Sequence, residues 1–304
     1  MANHEMPSLH EGKPGYDAWG VHQTPTATAG GMFTPTPGLP PVLADVTKWR
    51  ELAIPDHNKA DWETLSKMEM KIFNIDRENY LLTVASNNGL FERMHMLMGF
   101  ENAVMALVTE PEACYELAGA IADTKIDVIH QAAKWYKPDV FTMLDDYSHK
   151  NGLFMSPATW REIFQPHLKR IVKACHDEGM LYKHHCCGKC EKLLPDLMDC
   201  GIDALDPVQP VNDIPAMKQL TLGKIGLYGG LNVQDIIDQP GVTEEQIRQE
   251  CRRCIDAYAP GGGYVVYGVS IDSRAVRFGD KTKAEMLIEE CASYGQNWYA
   301  RHGE

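Results

Sequence analysis

From about residue 60 onward, short apolar runs alternate with helix-periodic segments, and that alternation restricts the chain to a parallel sheet with helical crossovers. The runs at 80–85, 139–144, 180–186, 204–208, 225–228 and 264–269 read as buried strands. Between and around them, residues 61–75, 111–136, 157–178, 190–200, 213–221 and 280–300 read as helices, with shorter helices within 233–258. Pro111 and Pro157 sit where a helix begins, a position at which the missing N–H is no loss. Thr243 with Gln246 three residues on is a capping box. Six strands are legible, and a closed (β/α)8 TIM barrel needs two more, which the first 60 residues would have to supply. Those residues are rich in Gly, Pro and Thr, as in Thr34-Pro-Thr-Pro-Gly-Leu-Pro-Pro, and predict an irregular, extended arm. The expected organisation is an arm over 1–60 packed on a barrel domain over 61–304.

A net charge of −13 and a pI near 5.4, with no basic run, argue against nucleic acid as a partner. No apolar run approaches the roughly 20 residues that span a bilayer, and the N-terminus lacks the basic and apolar regions of a signal peptide. The expected setting is cytoplasmic. There the nine cysteines are thiols and not a disulfide framework. Cys114, Cys175, Cys200, Cys251, Cys254 and Cys291 fall in helical segments and predict core packing. The stripe Met94, Met96 and Met98 reads the same way.

Chemistry-bearing residues gather just after the strands. His184-His185-Cys186-Cys187-Gly188, with Cys190, follows one strand and offers the imidazoles and thiols that zinc prefers. The readings open at this turn are a metal site, a redox Cys-x2-Cys pair and packing. Asp145-Asp146-Tyr147-Ser148-His149 follows another strand. There a like-charged pair would raise one carboxyl pKa and suit it to proton transfer, and Tyr147 and His149 could meet substrate. Gln209 and Asn232 follow two more, as uncharged hydrogen-bonding groups suited to orienting a substrate or a corrinoid amide, or to tying loops together. Ser270, Asp272 and Arg274 follow the last, where Arg274 could clasp a carboxylate. In a (β/α)8 barrel all these loops open on the face that carries active sites.

In order and spacing these segments resemble the uroporphyrinogen decarboxylase superfamily, a TIM-barrel group, from about residue 16 to the end. The resemblance rests on Asp17-Ala-Trp-Gly-Val, Leu97-Met-Gly-Phe-Glu with Thr109-Glu-Pro-Glu, and Asp145-Asp146 with Gly152-Leu-Phe-Met-Ser-Pro-Ala-Thr-Trp. It continues through His185-Cys-Cys-Gly, Gly201-Ile-Asp-Ala-Leu-Asp-Pro-Val-Gln-Pro, Gly229-Gly-Leu-Asn-Val-Gln and Ala259-Pro-Gly-Gly-Gly-Tyr. Such a superfamily holds cofactor-free decarboxylation of porphyrinogens and zinc-dependent methyl transfer between a corrinoid and a thiol or another methyl donor or acceptor. The decarboxylase branch carries an Arg-rich N-terminal segment and a His after the last strand. Residues 1–60 here contain one arginine, Arg50, and Tyr267-Gly268-Val269-Ser270 lacks the His.

The methyltransferase branch is marked by His-x-Cys-Gly after a central strand, which His185-Cys186-Cys187-Gly188 reproduces. The resemblance thus implies His185 and Cys187 as zinc ligands. That branch takes its third ligand, a Cys, from the loop after the last strand, where this chain has Val269. Cys190, in Cys-x2-Cys spacing with Cys187, offers a replacement, with Asp145, Asp146 or His149 completing the tetrahedron. The implied activity is zinc-dependent methyl transfer between a corrinoid (cobalamin), free or on a carrier protein, and a thiol or methoxylated small substrate, in a homodimer. The rivals are a decarboxylase-like lyase, with Asp145 or Asp146 as proton donor, and a degenerate barrel that binds a tetrapyrrole or corrinoid.

Overall fold

A computed structural model describes residues 13–26, 33–267, 277–278 and 281–303. Ser270, Asp272 and Arg274, and the Val269 position, lie outside the described residues. By packing, the chain forms two compact units. The first comprises 1–147, 153–185 and 195–202, and the second 148–152, 186–194 and 203–304. Among the described residues six parallel strands alternate with helices along the chain, the β/α succession of a (β/α)8 barrel.

The first unit begins with the arm. Its strands β1 (Gly15–Tyr16), β2 (His22–Pro25) and β3 (Phe33–Pro35) pair antiparallel with one another in a separate three-stranded sheet. Among the described residues the arm therefore supplies no strand to the parallel sheet. It is held by Asp17, whose buried carboxylate accepts from Trp19 N at 3.0 Å, Val21 N at 2.9 Å and Gln23 Nε2 at 2.8 Å. The same carboxylate pairs with Arg93 Nη1 at 2.6 Å, both side chains being fully buried.

Helix α1 (Trp62–Ile72), capped by Asp61, leads to strand β4 (Thr83–Ser86). Two helices that periodicity did not reveal follow, α2 (Leu90–Met98) and α3 (Phe100–Thr109), joined at Gly99, whose φ is +80°. Then come α4 (Pro111–Trp135) and β5 (Val140–Leu144). A short hairpin, β6 (Ser148–His149) and β7 (Gly152–Leu153), links β5 to the next helices. The predicted helix at 157–178 is two, α5 (Pro157–Ile163) and α6 (Gln165–Asp177), because Pro166 cannot donate into a continuous helix. Strand β8 (Leu181–His185) lies parallel to β5, pairing Thr142 with Lys183 and Leu144 with His185. Helix α7 (Leu194–Asp199) follows it. The Met94, Met96 and Met98 stripe is core, as are Cys114, Cys175 and Cys200.

The second unit carries β9 (Ala204–Val208), α8 (Ile214–Thr221), β10 (Gly226–Gly230), α9 (Glu244–Tyr258), β11 (Tyr264–Tyr267) and α10 (Lys283–Gly295). Its strands are parallel in the order β9-β10-β11. The capping box at Thr243 and Gln246 is formed in both directions and starts α9. Cys251 and Cys254 on that helix are buried with Leu231, Ile237, Ile247 and Met286, and half-buried Cys291 packs against them.

Candidate metal centre

Alternation along β8 decides which histidine is available for chemistry. Successive strand residues face opposite sides. Tyr182 and His184 are fully buried, whereas Lys183 and His185 are half-buried on the other face. His184 is stacked on Tyr147 with ring centroids 5.6 Å apart, and its Nδ1 lies 3.2 Å from the Tyr182 hydroxyl. It is a packing residue. His185, at the C-terminal end of the strand, has its Nε2 3.9 Å from Asp146 Oδ1.

The same alternation separates the two aspartates after β5. Asp145 is buried and caps α2, accepting from Leu90 N at 2.7 Å, Phe91 N at 3.3 Å and Glu92 N at 2.9 Å. The Tyr147 hydroxyl, itself fully buried, donates to the same carboxylate. Burial pushes the Asp145 carboxyl up to about 6 against the pull of these donors. Tyr147 and Asp145 are thus spent on each other and on the start of α2. Asp146 is half-buried beside His185. Glu92, which sequence patterning missed because α2 was missed, is a third carboxyl here. Burial first, then the charges of Asp146 and Asp145, holds it well above the usual carboxylate range.

Past His185 the chain turns through Cys186, Cys187 and Gly188. The buried Cys186 thiol lies 3.8 Å from Ser148 Oγ, and that hydroxyl donates to Cys187 O at 2.6 Å. Gly188 has φ +85°, and a Cβ there would stand 2.7 Å from the His149 backbone, so only glycine fits. Its N–H donates to Gln209 Oε1 at 2.6 Å, and its carbonyl accepts from Asn212 Nδ2 at 2.9 Å. Asn212 also accepts from Glu191 N at 3.1 Å, and Lys189 N donates to His149 O at 2.9 Å. Four side- and main-chain partners therefore fix the turn that presents Cys187.

One ligand atom each from Asp146, His185 and Cys187 lies within 4.8 Å of the others. Tetrahedral zinc with ligands at 2.0–2.3 Å sets those atoms about 3.3–3.8 Å apart, so a pair at the 4.8 Å limit would close by about 1.0–1.5 Å on one ion. The donor set of imidazole, thiolate and carboxylate suits zinc. Among the described residues no other group of three such side chains is so placed. Cys190 is not in it. That residue is fully buried and its thiol is directed at Cys186 O, 3.7 Å away.

The remaining expected site residues are placed as follows. His149 is exposed on the β6–β7 hairpin, its Nδ1 accepting from Asn151 N at 3.4 Å. Gln209 is engaged by the Gly188 turn. Asn232 caps the turn 233–237, accepting from Asp235 N at 3.0 Å. Ser148 and Asn212, which hold the cysteine turn, were not singled out in the sequence. The only signal for Asn212 is its position three residues beyond Gln209.

The sequence profile described as uroporphyrinogen decarboxylase (URO-D) matches residues 37–268. A methylcobamide:CoM methyltransferase MtaA of Methanosarcina barkeri is 27% identical over 162 residues, which is 52% of this chain and 42% of that protein. A methylated-thiol–coenzyme M methyltransferase of Methanosarcina mazei is 28% identical over 161 residues, 52% of this chain and 41% of that protein. The matches thus span less than half the length of these curated relatives. A solved methyltransferase from Methanosarcina mazei superposes with a TM-score of 0.66 at 14% identity, covering 91% of this chain and 77% of that one, a likeness of fold.

Proposed function

The chain belongs to the uroporphyrinogen decarboxylase family, and from that premise we propose that it is a zinc-dependent methyltransferase working between a corrinoid and a small thiol or a methylated or methoxylated compound. The observation that carries the proposal is the convergence of Asp146, His185 and Cys187 at the C-terminal end of β8. Those three side chains would hold the ion, and a three-ligand set of this kind leaves zinc a position for substrate. When bound, zinc supplies Lewis acidity to the atom that gives or receives the methyl group.

The chain's own part is to hold that set in place. Asp146 and His185 stand side by side, Oδ1 3.9 Å from Nε2, so that both can turn to one ion. Ser148, Gln209 and Asn212 fix the backbone from Cys187 to Gly188. Asp145, tied to the first turn of α2, keeps the β5 end rigid under Asp146. The names of the relatives support methyl transfer as the chemistry, and a corrinoid on a separate carrier protein is part of the same proposal. Asp146 takes the place that the resemblance assigned to a cysteine near residue 269. Cys190, proposed from its spacing, faces the backbone of its own turn.

Porphyrinogen decarboxylation has less support. The single arginine of residues 1–60, Arg50, is paired with Glu116 at 2.7 Å. The buried Asp145, with four donors, is poorly placed to protonate a carbanion. No helix among the described residues is long and apolar enough to cross a membrane.

The test is spectroscopic. Zinc-loaded protein mixed with methylcobalamin and a thiol is expected to bleach the methyl–cobalt absorbance and to leave the thiol methylated. The Cys187→Ala variant is expected to do neither. Equal turnover by chelator-treated protein would overturn the proposal.

A further inference from the structure

We propose that the row Ala85–Thr142–Lys183, one step below the metal centre on the same sheet face, is a subsite for the anionic end of the small substrate. The inference rests on the reading of Asp146, His185 and Cys187 as the metal site. Its own grounds are register, chemistry and an unused hydroxyl. Thr142 is opposite Lys183 and Leu144 is opposite His185 in the β5–β8 ladder, and Ala85 is opposite Thr142 in the β4–β5 ladder. Paired residues of parallel strands share a face, so Lys183 lies on the His185 face, about 6.6 Å deeper along β8.

The composition of this row differs from those around it. Below it stand Val140 and Leu181, and above it stand Leu144 and His185. In between are a small half-buried Ala85, a threonine and a half-buried cation. Among the described residues the Thr142 hydroxyl has no hydrogen-bond partner, although the residue is only 4% exposed. Buried hydroxyls are almost always satisfied, and one that is not calls for a ligand or a water. Lys183 and Thr142, partners in the β5–β8 ladder, carry an ammonium and a hydroxyl, the groups that give charge-assisted and neutral hydrogen bonds to a carboxylate or sulfonate. A molecule whose reacting atom sits at the metal centre, with its anionic group two or three methylenes away, would span the distance between the rows.

The experiment compares thiols on zinc-loaded protein by calorimetry, with 3-mercaptopropionate as the anionic probe and 2-mercaptoethanol as the neutral one. Wild type is expected to bind the anionic thiol about tenfold more tightly. Lys183→Met is expected to abolish that preference while leaving zinc content and the affinity for 2-mercaptoethanol unchanged. Lys183→Arg is expected to keep most of the preference, and Thr142→Val to lose part of it. Equal binding of the two thiols by wild type, or an undiminished preference in Lys183→Met, overturns the subsite. Butyrate, which has no thiol, separates this inference from the metal reading. Its saturation-transfer NMR signal is expected to depend on Lys183 whether or not zinc is held, and a signal unaltered by Lys183→Met also overturns the subsite.

Discussion

His184 and His185 are adjacent on β8 and serve opposite faces of the sheet. His184 is fully buried against Tyr147 at 5.6 Å, and His185 stands 3.9 Å from Asp146. The two substitutions should therefore separate. His184→Ala is expected to cost about 2–4 kcal/mol of stability through the cavity it leaves, with zinc affinity little changed in the folded fraction. His185→Ala is expected to keep its stability and lose the metal. Urea denaturation paired with metal analysis checks both, and zinc loss in both variants alike would contradict the assignment of faces.

Gly188 is the one residue of the cysteine turn that no side chain can replace. An added Cβ would meet the His149 backbone at 2.7 Å in a conformation with φ +85°. Gly188→Ala is expected to lose about 1–3 kcal/mol. It is also expected to weaken metal binding, because the turn carries Cys187. Thermal denaturation and a zinc competition titration measure the two effects.

Asp145 gives a pH signature. Its folded pKa is raised from 3.8 to about 6, chiefly by burial. Ionising it therefore costs the folded state more than the unfolded one, and stability present at low pH is lost as pH rises through about 6. Relative to Asp145→Asn, the wild type should lose on the order of 3 kcal/mol between about pH 4 and 6, and the difference should be flat above that. Chemical denaturation of both proteins at a series of pH values tests this, and parallel curves would refute it.

The arm depends on one buried ion pair. Arg93→Met leaves Asp17 as an uncompensated charge with a fully buried side chain and is expected to destabilise by about 3–5 kcal/mol. The double variant Asp17→Leu/Arg93→Met should recover part of that loss. Denaturation midpoints decide the matter, and a double variant no better than the single one would show that the pair acts mainly through shape.

Much of the fold was legible because each parallel strand is a short apolar run and most helices are capped or begin with proline. The strand at 204–208 and the capping box at Thr243 fall where the sequence puts them. Helices α2 and α3 were not, because Gly99 breaks the segment into two short pieces with no side-chain cap at either start. The arm's self-paired strands were hidden by the Gly and Pro around them. At the site, His185 and Cys187 stood out by motif. Local spacing suggested Cys190, with Asp145, Asp146 or His149 beside it; the Cys190 thiol faces Cys186 O, and of the other three Asp146 lies next to His185. No local pattern distinguishes Asp145 from Asp146. Their roles follow from strand alternation and from a helix that the sequence did not show.

The measurement that bears most directly on this account is zinc binding by the purified protein and its single-site variants, by elemental analysis and chelator competition. The account predicts about one zinc per chain, lost in His185→Ala and Cys187→Ala, weakened at least about tenfold in Asp146→Ala, and retained in Cys190→Ala. A wild-type protein that takes up no zinc, or one whose zinc depends on Cys190 and not on Asp146, would contradict it.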